Sequence, residues 1–74
     1  MGRLAGLSAS EVIRKLRAAG FVFDRVAKGS HEIWLHSGNR TRVTIPNHPG
    51  DMPEGTVRAI VKQVGLSITD FLKL

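Results

Sequence analysis

Cysteine is absent from the 74-residue chain, and the chain contains no long apolar run. Without cysteine, neither disulfides nor thiolate-bound zinc can support what must be a small core. No apolar run approaches the roughly 20 residues that cross a bilayer, and the first residues lack the apolar core of a secretory signal. These absences are consistent with a reducing compartment, and we expect a cytoplasmic location.

Acidic residues are few and scattered along the chain. They are Glu11, Asp24, Glu32, Asp51, Glu54 and Asp70. This spacing offers no acidic cluster for magnesium or calcium and no carboxylate pair for glycoside hydrolysis. The chain also lacks a phosphate-binding glycine loop, a His-x-x-x-His pair on a helix and a serine in a nucleophile elbow. Any catalysis therefore depends on histidine and on cationic side chains.

Positive charge is in clear excess. Eleven Lys and Arg residues against six Asp and Glu residues give a net charge of +5, and the pI is near 10.9. So much charge on so small a body favours a polyanionic partner, which is RNA, DNA or an acidic protein. The alternative is a soluble surface that happens to be basic.

The spacing of apolar residues predicts a single α+β domain over residues 1–74. Ser8 and Glu11 form a capping-box motif before an amphipathic helix whose outer face is basic and includes Lys15. Two helices on one face of a three-stranded antiparallel sheet make a two-layer sandwich, and residues 1–7 are predicted to be a loosely held lead-in. The predicted elements are a helix over 9–19, strands over 21–26, 31–36 and 41–45, a helix from Pro53 or Glu54 to Gly65, and a short helical turn after Ser67.

The second predicted strand, residues 31–36, allows two orientations. If Ile33 and Leu35 point into the core, His31 shares their side and must escape burial by lying at the end of the strand. If Trp34 points inward, His31 lies on the open face of the sheet. We favour Trp34 in the core, because exposing a tryptophan is costly in so small a protein. Either orientation leaves His31 accessible.

The segment Lys28-Gly29-Ser30-His31 places a histidine where a tight turn enters this strand. Turns bring backbone N–H groups and side chains close to whatever docks there. In RNA, the 2′-hydroxyl is an internal nucleophile beside the scissile phosphate. An imidazole that titrates near neutral pH can take its proton, and Lys or Arg can stabilise the charge of the transition state. The motif therefore suits RNA cleavage through a 2′,3′-cyclic phosphate, which DNA cannot form.

Each of these candidates also has a less specific interpretation. His31 can be a solvated turn residue, His36 at a hairpin end is expected on the surface, and His48 in a loop is either a second acid–base group or a structural residue. Trp34 is expected in the core rather than as a platform for stacked bases. The cations of the two hairpins form either a basic rim or a charged strand face that maintains solubility. These cations are Arg25, Lys28, Arg40 and Arg42.

Several short segments occur together at characteristic spacing. They are Gly20-Phe21, Arg25, Lys28-Gly29-Ser30-His31, Val43-Thr44-Ile45-Pro46-Asn47-His48, Gly55-Thr56-Val57-Arg58 with Ile60 and Lys62-Gln63, and Gly65-Leu66-Ser67 with Phe71-Leu72. Together they resemble the HicA family of toxins, the mRNA interferases of bacterial and archaeal toxin–antitoxin pairs. The resemblance extends from about Ser10 to Leu72. Its mild departures, Ala27 and Asn47, remove no group that the chemistry needs.

The resemblance implies an α-β-β-β-α fold like that of a double-stranded-RNA-binding domain, and a ribonuclease that needs no metal or other cofactor. It also implies two partners, mRNA and a HicB-type antitoxin protein that covers the active site. The catalytic histidine of the family falls on His31, with His48 as an assisting group. We predict RNA contacts from the turn and the basic rim, which comprise Arg25, Lys28, Gly29, Ser30, Arg40 and Arg42.

Two other functions remain open at this point. The chain is alternatively a non-catalytic RNA-binding module whose cations hold the backbone, with affinity that falls steeply with salt. The third possibility is a protein-interaction domain whose partner is acidic.

Overall fold

The computed structural model describes residues 3–74. Its elements follow the predicted order and are α1 (Ala9–Ala18), β1 (Phe21–Val26), β2 (His31–His36), β3 (Arg42–Pro46), α2 (Glu54–Val64) and α3 (Ile68–Leu72). The three strands pair antiparallel in the order β1-β2-β3. The core forms between one face of this sheet and the helices, which confirms the predicted two-layer α+β sandwich.

Local signals in the sequence set the ends of the helices. The Ser8 hydroxyl accepts the Glu11 N–H at 3.2 Å, and the Glu11 carboxylate accepts the Ser8 N–H at 3.1 Å. Gly20 follows α1 with a φ of +97°, and Gly65 ends α2 with a φ of +89°. Glycine adopts this left-handed backbone without the steric cost that a side chain brings. The predicted capping box and the predicted end of α2 at Gly65 are confirmed.

The orientation of β2 is resolved by burial. Trp34 faces the helices and is 2% exposed, whereas Ile33 lies on the other face of the strand and is nevertheless only 7% exposed. His31 shares the side of Ile33 by strand alternation and is exposed, as predicted. We call this side, which faces away from the helices, the open face. The core residues are Leu4, Ala9, Val12, Leu16, Phe21, Trp34, Val43, Ile45, Met52, Val57, Ile60, Val61 and Phe71.

An irregularity in β1 changes which side Arg25 occupies. Phe23 pairs with Trp34 on the helix side, but the register then shifts, so that Arg25 pairs with Ile33 on the open face. Regular alternation would have placed Arg25 on the same side as Phe23. A bulge adds one residue to a strand and reverses this parity. The bulge therefore brings Arg25 to the face that carries His31.

Lys15 corrects one expectation about α1. The sequence predicts this side chain on the outer face, but it is only 6% exposed. Its Nζ donates to the backbone oxygens of Leu72 and Leu74, both at 3.1 Å, and lies 5.9 Å from the centre of the Phe71 ring. A lysine can bury its aliphatic stem while its ammonium finds acceptors. Here the acceptors are backbone oxygens at the end of α3 and just beyond it, and the Leu74 oxygen also accepts a longer bond, of 3.5 Å, from Arg14.

The segment before α1 corrects another expectation. A loosely held lead-in was predicted over residues 1–7, but Leu4 is fully buried in the core. The Leu7 carbonyl accepts the N–H of Met52 at 2.7 Å, which ties the segment to the loop before α2. Packing and this hydrogen bond hold the part of the lead-in that the structure describes. The first two positions lie outside the described residues.

Candidate active site

His31 is the first residue of β2, and its side chain is exposed. The turn before it is tight, because the Ala27 N–H donates to the His31 carbonyl at 2.7 Å and the His31 N–H donates to the Lys28 carbonyl at 3.3 Å. Gly29 has a φ of +67°, and a Cβ there would meet nothing within 4 Å. The turn therefore requires the conformational freedom of Gly29 rather than a close approach to it.

His48 reaches the same end of the sheet from β3. That strand ends at Pro46, which pairs with His31, and the N–H of the next residue, Asn47, donates to the Ser30 carbonyl at 3.1 Å. The Ser30 hydroxyl lies 3.3 Å from Nδ1 of His48. The residue that immediately precedes His31 therefore contacts His48 directly, and both histidines are exposed.

The contact between Ser30 and His48 admits two hydrogen-bond arrangements. When the hydroxyl donates to Nδ1, Nε2 carries the proton of the neutral ring and acts as a donor. When Nδ1–H donates to the hydroxyl, Nε2 keeps a free lone pair and acts as a base. In both arrangements Nε2 is the ring nitrogen left free of this contact, and in the second arrangement it can accept a proton as a base, which gives the imidazolium that can act as an acid.

Two cations lie near this pair of histidines. Lys28 is exposed in the turn before His31. Arg25 pairs with Ile33 on the open face, which is roughly 7 Å along β2 from His31 at the usual rise per residue. The Arg25 guanidinium also donates to the Asp24 carboxylate in an exposed ion pair. Exposed pairs of this kind are weak, so a phosphate can compete for the guanidinium.

The remaining predicted cations extend away from His31. Arg42 pairs with Leu35 and shares the open face. Arg40 lies in the turn between β2 and β3 and has a φ of +61°, which is uncommon for a residue with a side chain. This turn is roughly 17 Å from His31, the length of a six-residue strand. The structure thus brings the turn residues and His48 to His31 and leaves Arg40 at the far end.

His36 is not the simple surface residue that the sequence predicts. It is half-buried, and its Nδ1 accepts the N–H groups of Gly38 and Asn39 at 3.0 and 3.1 Å. Its ring packs edge-on against Phe21, with ring centres 5.1 Å apart. A cleft of about 270 Å³ lies beside it, but no Lys or Arg lines that cleft. His36 therefore stabilises the hairpin turn through Nδ1, and the cleft beside it has no cationic lining.

Glu32 and Asn47 are site residues that sequence reasoning missed. Oε1 of Glu32 accepts the indole N–H of Trp34 at 3.1 Å, and Oε2 accepts the side-chain N–H of Asn47 at 2.6 Å. Glu32 and Asn47 are 15 positions apart, and no periodicity relates a strand residue to a loop residue at such a separation. The alternation of β2 does place Glu32 on the side of Trp34, which is the only signal that pointed to this network.

The part of the chain that the structure describes contains no group of three or more His, Asp or Glu side chains able to hold a metal ion. Within the same residues, no helix has the length and apolar character required to cross a membrane.

The fold and the site together define a small, basic two-layer α+β domain with two exposed histidines at one end of its sheet. A family model described as the HicA toxin of bacterial toxin–antitoxin systems matches residues 9–66. This match covers more than half of the chain, and the chain belongs to the HicA toxin family. The matched residues run from the start of α1 to just beyond α2 and include both histidines. No curated protein matches the sequence.

Proposed function

We propose that this HicA-family toxin is an endoribonuclease that cleaves mRNA by acid–base chemistry at His31, without a metal ion. The observation that carries the proposal is the convergence of His31 and His48 at one end of the sheet, joined through Ser30. Cleavage of RNA by its own 2′-hydroxyl requires one group to take a proton and another to give one. Two accessible imidazoles at one site meet this requirement.

The proposed reaction is an in-line transesterification. The 2′-oxygen forms a bond to phosphorus while the bond from phosphorus to the next 5′-oxygen breaks. One imidazole takes the proton of the 2′-hydroxyl, and an imidazolium gives a proton to the departing 5′-oxygen. The products are a 2′,3′-cyclic phosphate and a 5′-hydroxyl. We assign the principal acid–base role to His31 and an assisting role to His48.

Positive side chains have a separate role in this proposal. Lys28 and Arg25 orient the scissile phosphate and stabilise the charge that grows on its oxygens, and Arg42 contributes further along the open face. Gly29 and Ser30 shape the turn that presents His31. Arg40, at the far end of the hairpin, contacts RNA away from the scissile bond.

The partner in this proposal is a HicB-type antitoxin. Membership of the HicA family places the chain in a toxin–antitoxin system. An antitoxin that covers the His31 end would exclude RNA from both histidines at once. The net charge of +5 favours an antitoxin surface that is acidic where it meets this end.

The proposal is tested by incubating the purified chain with end-labelled RNA in EDTA. We expect cleavage, with products that end in a 2′,3′-cyclic phosphate, and no cleavage of the same strand carrying 2′-O-methyl groups. His31→Ala should lower the rate by about 10²-fold or more, the usual loss for an acid–base group. Lys62→Ala, a change at an exposed position of α2, is the control and should leave the rate unchanged.

Each alternative has its own outcome in this experiment. RNA that is bound but never shortened would identify a non-catalytic RNA-binding module. Neither binding nor cleavage, together with a stable complex with an acidic protein, would identify a protein-interaction domain. A His31→Ala variant that is folded and cleaves at the parental rate would refute the assignment of His31.

A further inference from the structure

We infer that Glu32 is a positioning residue, which holds the His48 loop against the His31 turn by clamping the side chain of Asn47. The inference rests on the proposed ribonuclease function, because it concerns how the two histidines of that site are held in position relative to each other. The carboxylate receives hydrogen bonds at both oxygens, one from the Trp34 indole and one from the Asn47 amide.

The first link of this clamp is rigid. Trp34 is 2% exposed and is part of the core, so its indole N–H is held in a fixed direction. That N–H donates to Oε1 of Glu32 at 3.1 Å. A half-buried carboxylate that accepts a hydrogen bond from a core side chain loses much of its rotamer freedom. The core therefore determines the direction of Oε2, the oxygen that faces the loop.

The second link fixes the loop at two points. The Asn47 side chain donates to Oε2 of Glu32 at 2.6 Å, and the Asn47 N–H donates to the Ser30 carbonyl at 3.1 Å. The residue is thus attached both to β2 and to the turn that carries His31. His48 follows immediately, so its backbone starts from an anchored position. Without the side-chain bond, the loop would be joined to the His31 turn by one backbone bond and by the 3.3 Å contact between Ser30 and His48.

Glu32 itself is not placed to act on a substrate. It pairs with Ile45, which is fully buried, and so it shares the helix side of the sheet, whereas His31 lies on the open face. Both of its oxygens are already hydrogen-bonded. Its effect on the reaction therefore passes through Asn47 to His48. A catalytic group displaced by 1 Å can lose about 10²-fold in rate, which is why such a clamp matters.

A charge exchange between the two clamp residues tests this inference. Asn47→Asp places a second carboxylate against Glu32, and the repulsion should open the clamp. Glu32→Gln should keep it, since the Asn47 amide can turn over and accept a hydrogen bond from the new amide. The double variant Glu32→Gln/Asn47→Asp restores an amide facing a carboxylate, with the roles exchanged. It also restores the net charge of the parent chain.

Asn39→Asp is the matched control for added negative charge. Oδ1 of Asn39 accepts the N–H of Thr41 at 2.9 Å in the far hairpin turn, and an aspartate keeps that bond. This variant carries the same charge as Asn47→Asp but leaves the clamp intact. A loss of RNA affinity that comes from the net charge of the chain should appear in both variants, and the double variant, whose net charge equals that of the parent, controls for charge beside the site.

The first measurement is single-turnover cleavage of RNA. We expect Asn47→Asp to lower the maximal rate by about tenfold or more, with a change in KM no larger than that of Asn39→Asp. The double variant should recover to within about threefold of the parent, since paired residues show non-additive effects. A double variant as slow as Asn47→Asp alone would overturn the inference.

The second measurement is hydrogen exchange of the backbone N–H at position 47, which does not depend on activity. Asn47→Asp should speed this exchange by about tenfold, and the double variant should reverse the change. The Met52 N–H, bonded to the Leu7 carbonyl, is the internal reference. Unchanged exchange in Asn47→Asp would overturn the clamp. A parent chain that cleaves no RNA would overturn the proposed function and the catalytic role of the clamp, while the exchange result would still decide whether the clamp holds the loop.

Discussion

The hydroxyl of Ser30 lies 3.3 Å from Nδ1 of His48, which follows it by 18 positions in the chain. This contact links the turn before β2 to the loop after β3, and it occupies Nδ1 so that Nε2 is the ring nitrogen left outside the contact. The two residues should therefore act as a unit in the proposed reaction.

Variants of Ser30 and His48 test this coupling. His48→Ala should slow RNA cleavage by about 10²-fold, because it removes one acid–base group. Ser30→Ala should cause a smaller loss, since the ring remains but is no longer oriented. The double variant should be no slower than His48→Ala, because Ser30 acts through His48. Single-turnover cleavage rates measure these effects. A double variant whose fold-loss in rate equals the product of the two single losses would show that the two residues act independently.

The bulge in β1 leads to a prediction about salt dependence. It places Arg25 on the open face beside the proposed phosphate site. Arg25→Gln should weaken RNA binding and reduce the slope of log K against log salt by about 1, as expected for the loss of one phosphate contact. Arg58→Gln removes the same charge from an exposed position on α2, and it should change the slope less. Equal slopes for the two variants would place Arg25 outside the RNA contact.

The burial of Lys15 predicts a stability effect at a residue far from the site. Lys15→Met keeps the aliphatic stem but removes the ammonium that donates to the Leu72 and Leu74 oxygens, and Arg14 at 3.5 Å then remains as a donor to Leu74 alone. The free energy of unfolding should fall by about 1–3 kcal/mol, the usual range for hydrogen bonds made by a charged group. Lys62→Met, at an exposed position, should change it by less than about 0.5 kcal/mol. Urea unfolding measures both, and equal midpoints would contradict the proposed role of the hydrogen bonds.

The capping box of α1 predicts a dependence of stability on pH. The Ser8 N–H, and secondarily the Ser8 side chain, lower the pKa of Glu11 below its ordinary value of 4.5. A lowered pKa in the folded state means that the ionised carboxylate stabilises the fold above pH 4.5 and that this contribution is lost as the pH falls through the lowered pKa. Glu11→Gln should therefore reduce the loss of folding stability that occurs between neutral and acidic pH. Urea midpoints at pH 7 and pH 3 test this, and parallel losses in the parent and the variant would contradict it.

Much of the fold could be predicted because its signals are local. Ser8 and Glu11 are three positions apart, and Gly65 ends α2 by its own backbone preference. The strand bounds of β1 and β2 agree with the alternation and turn residues of the sequence. The exposed position of His31 also followed from local reasoning, because a residue that opens a strand after a glycine turn is accessible in either orientation. Short-range interactions of this kind depend only on residues that are close together in the sequence, so local patterns predict them.

The arrangement of the site around His31 could not be predicted, because it depends on contacts between distant parts of the chain. No local preference reveals that a bulge carries Arg25 to the open face or that Glu32 joins Trp34 to Asn47. The burial of Lys15 likewise required the end of α3 to supply acceptors. Such hydrogen bonds and register shifts form only when packing brings separated segments within about 3 Å of each other. Residue types and their spacing thus established the family, the elements and the exposed histidine, whereas packing established which groups meet and how they are aligned.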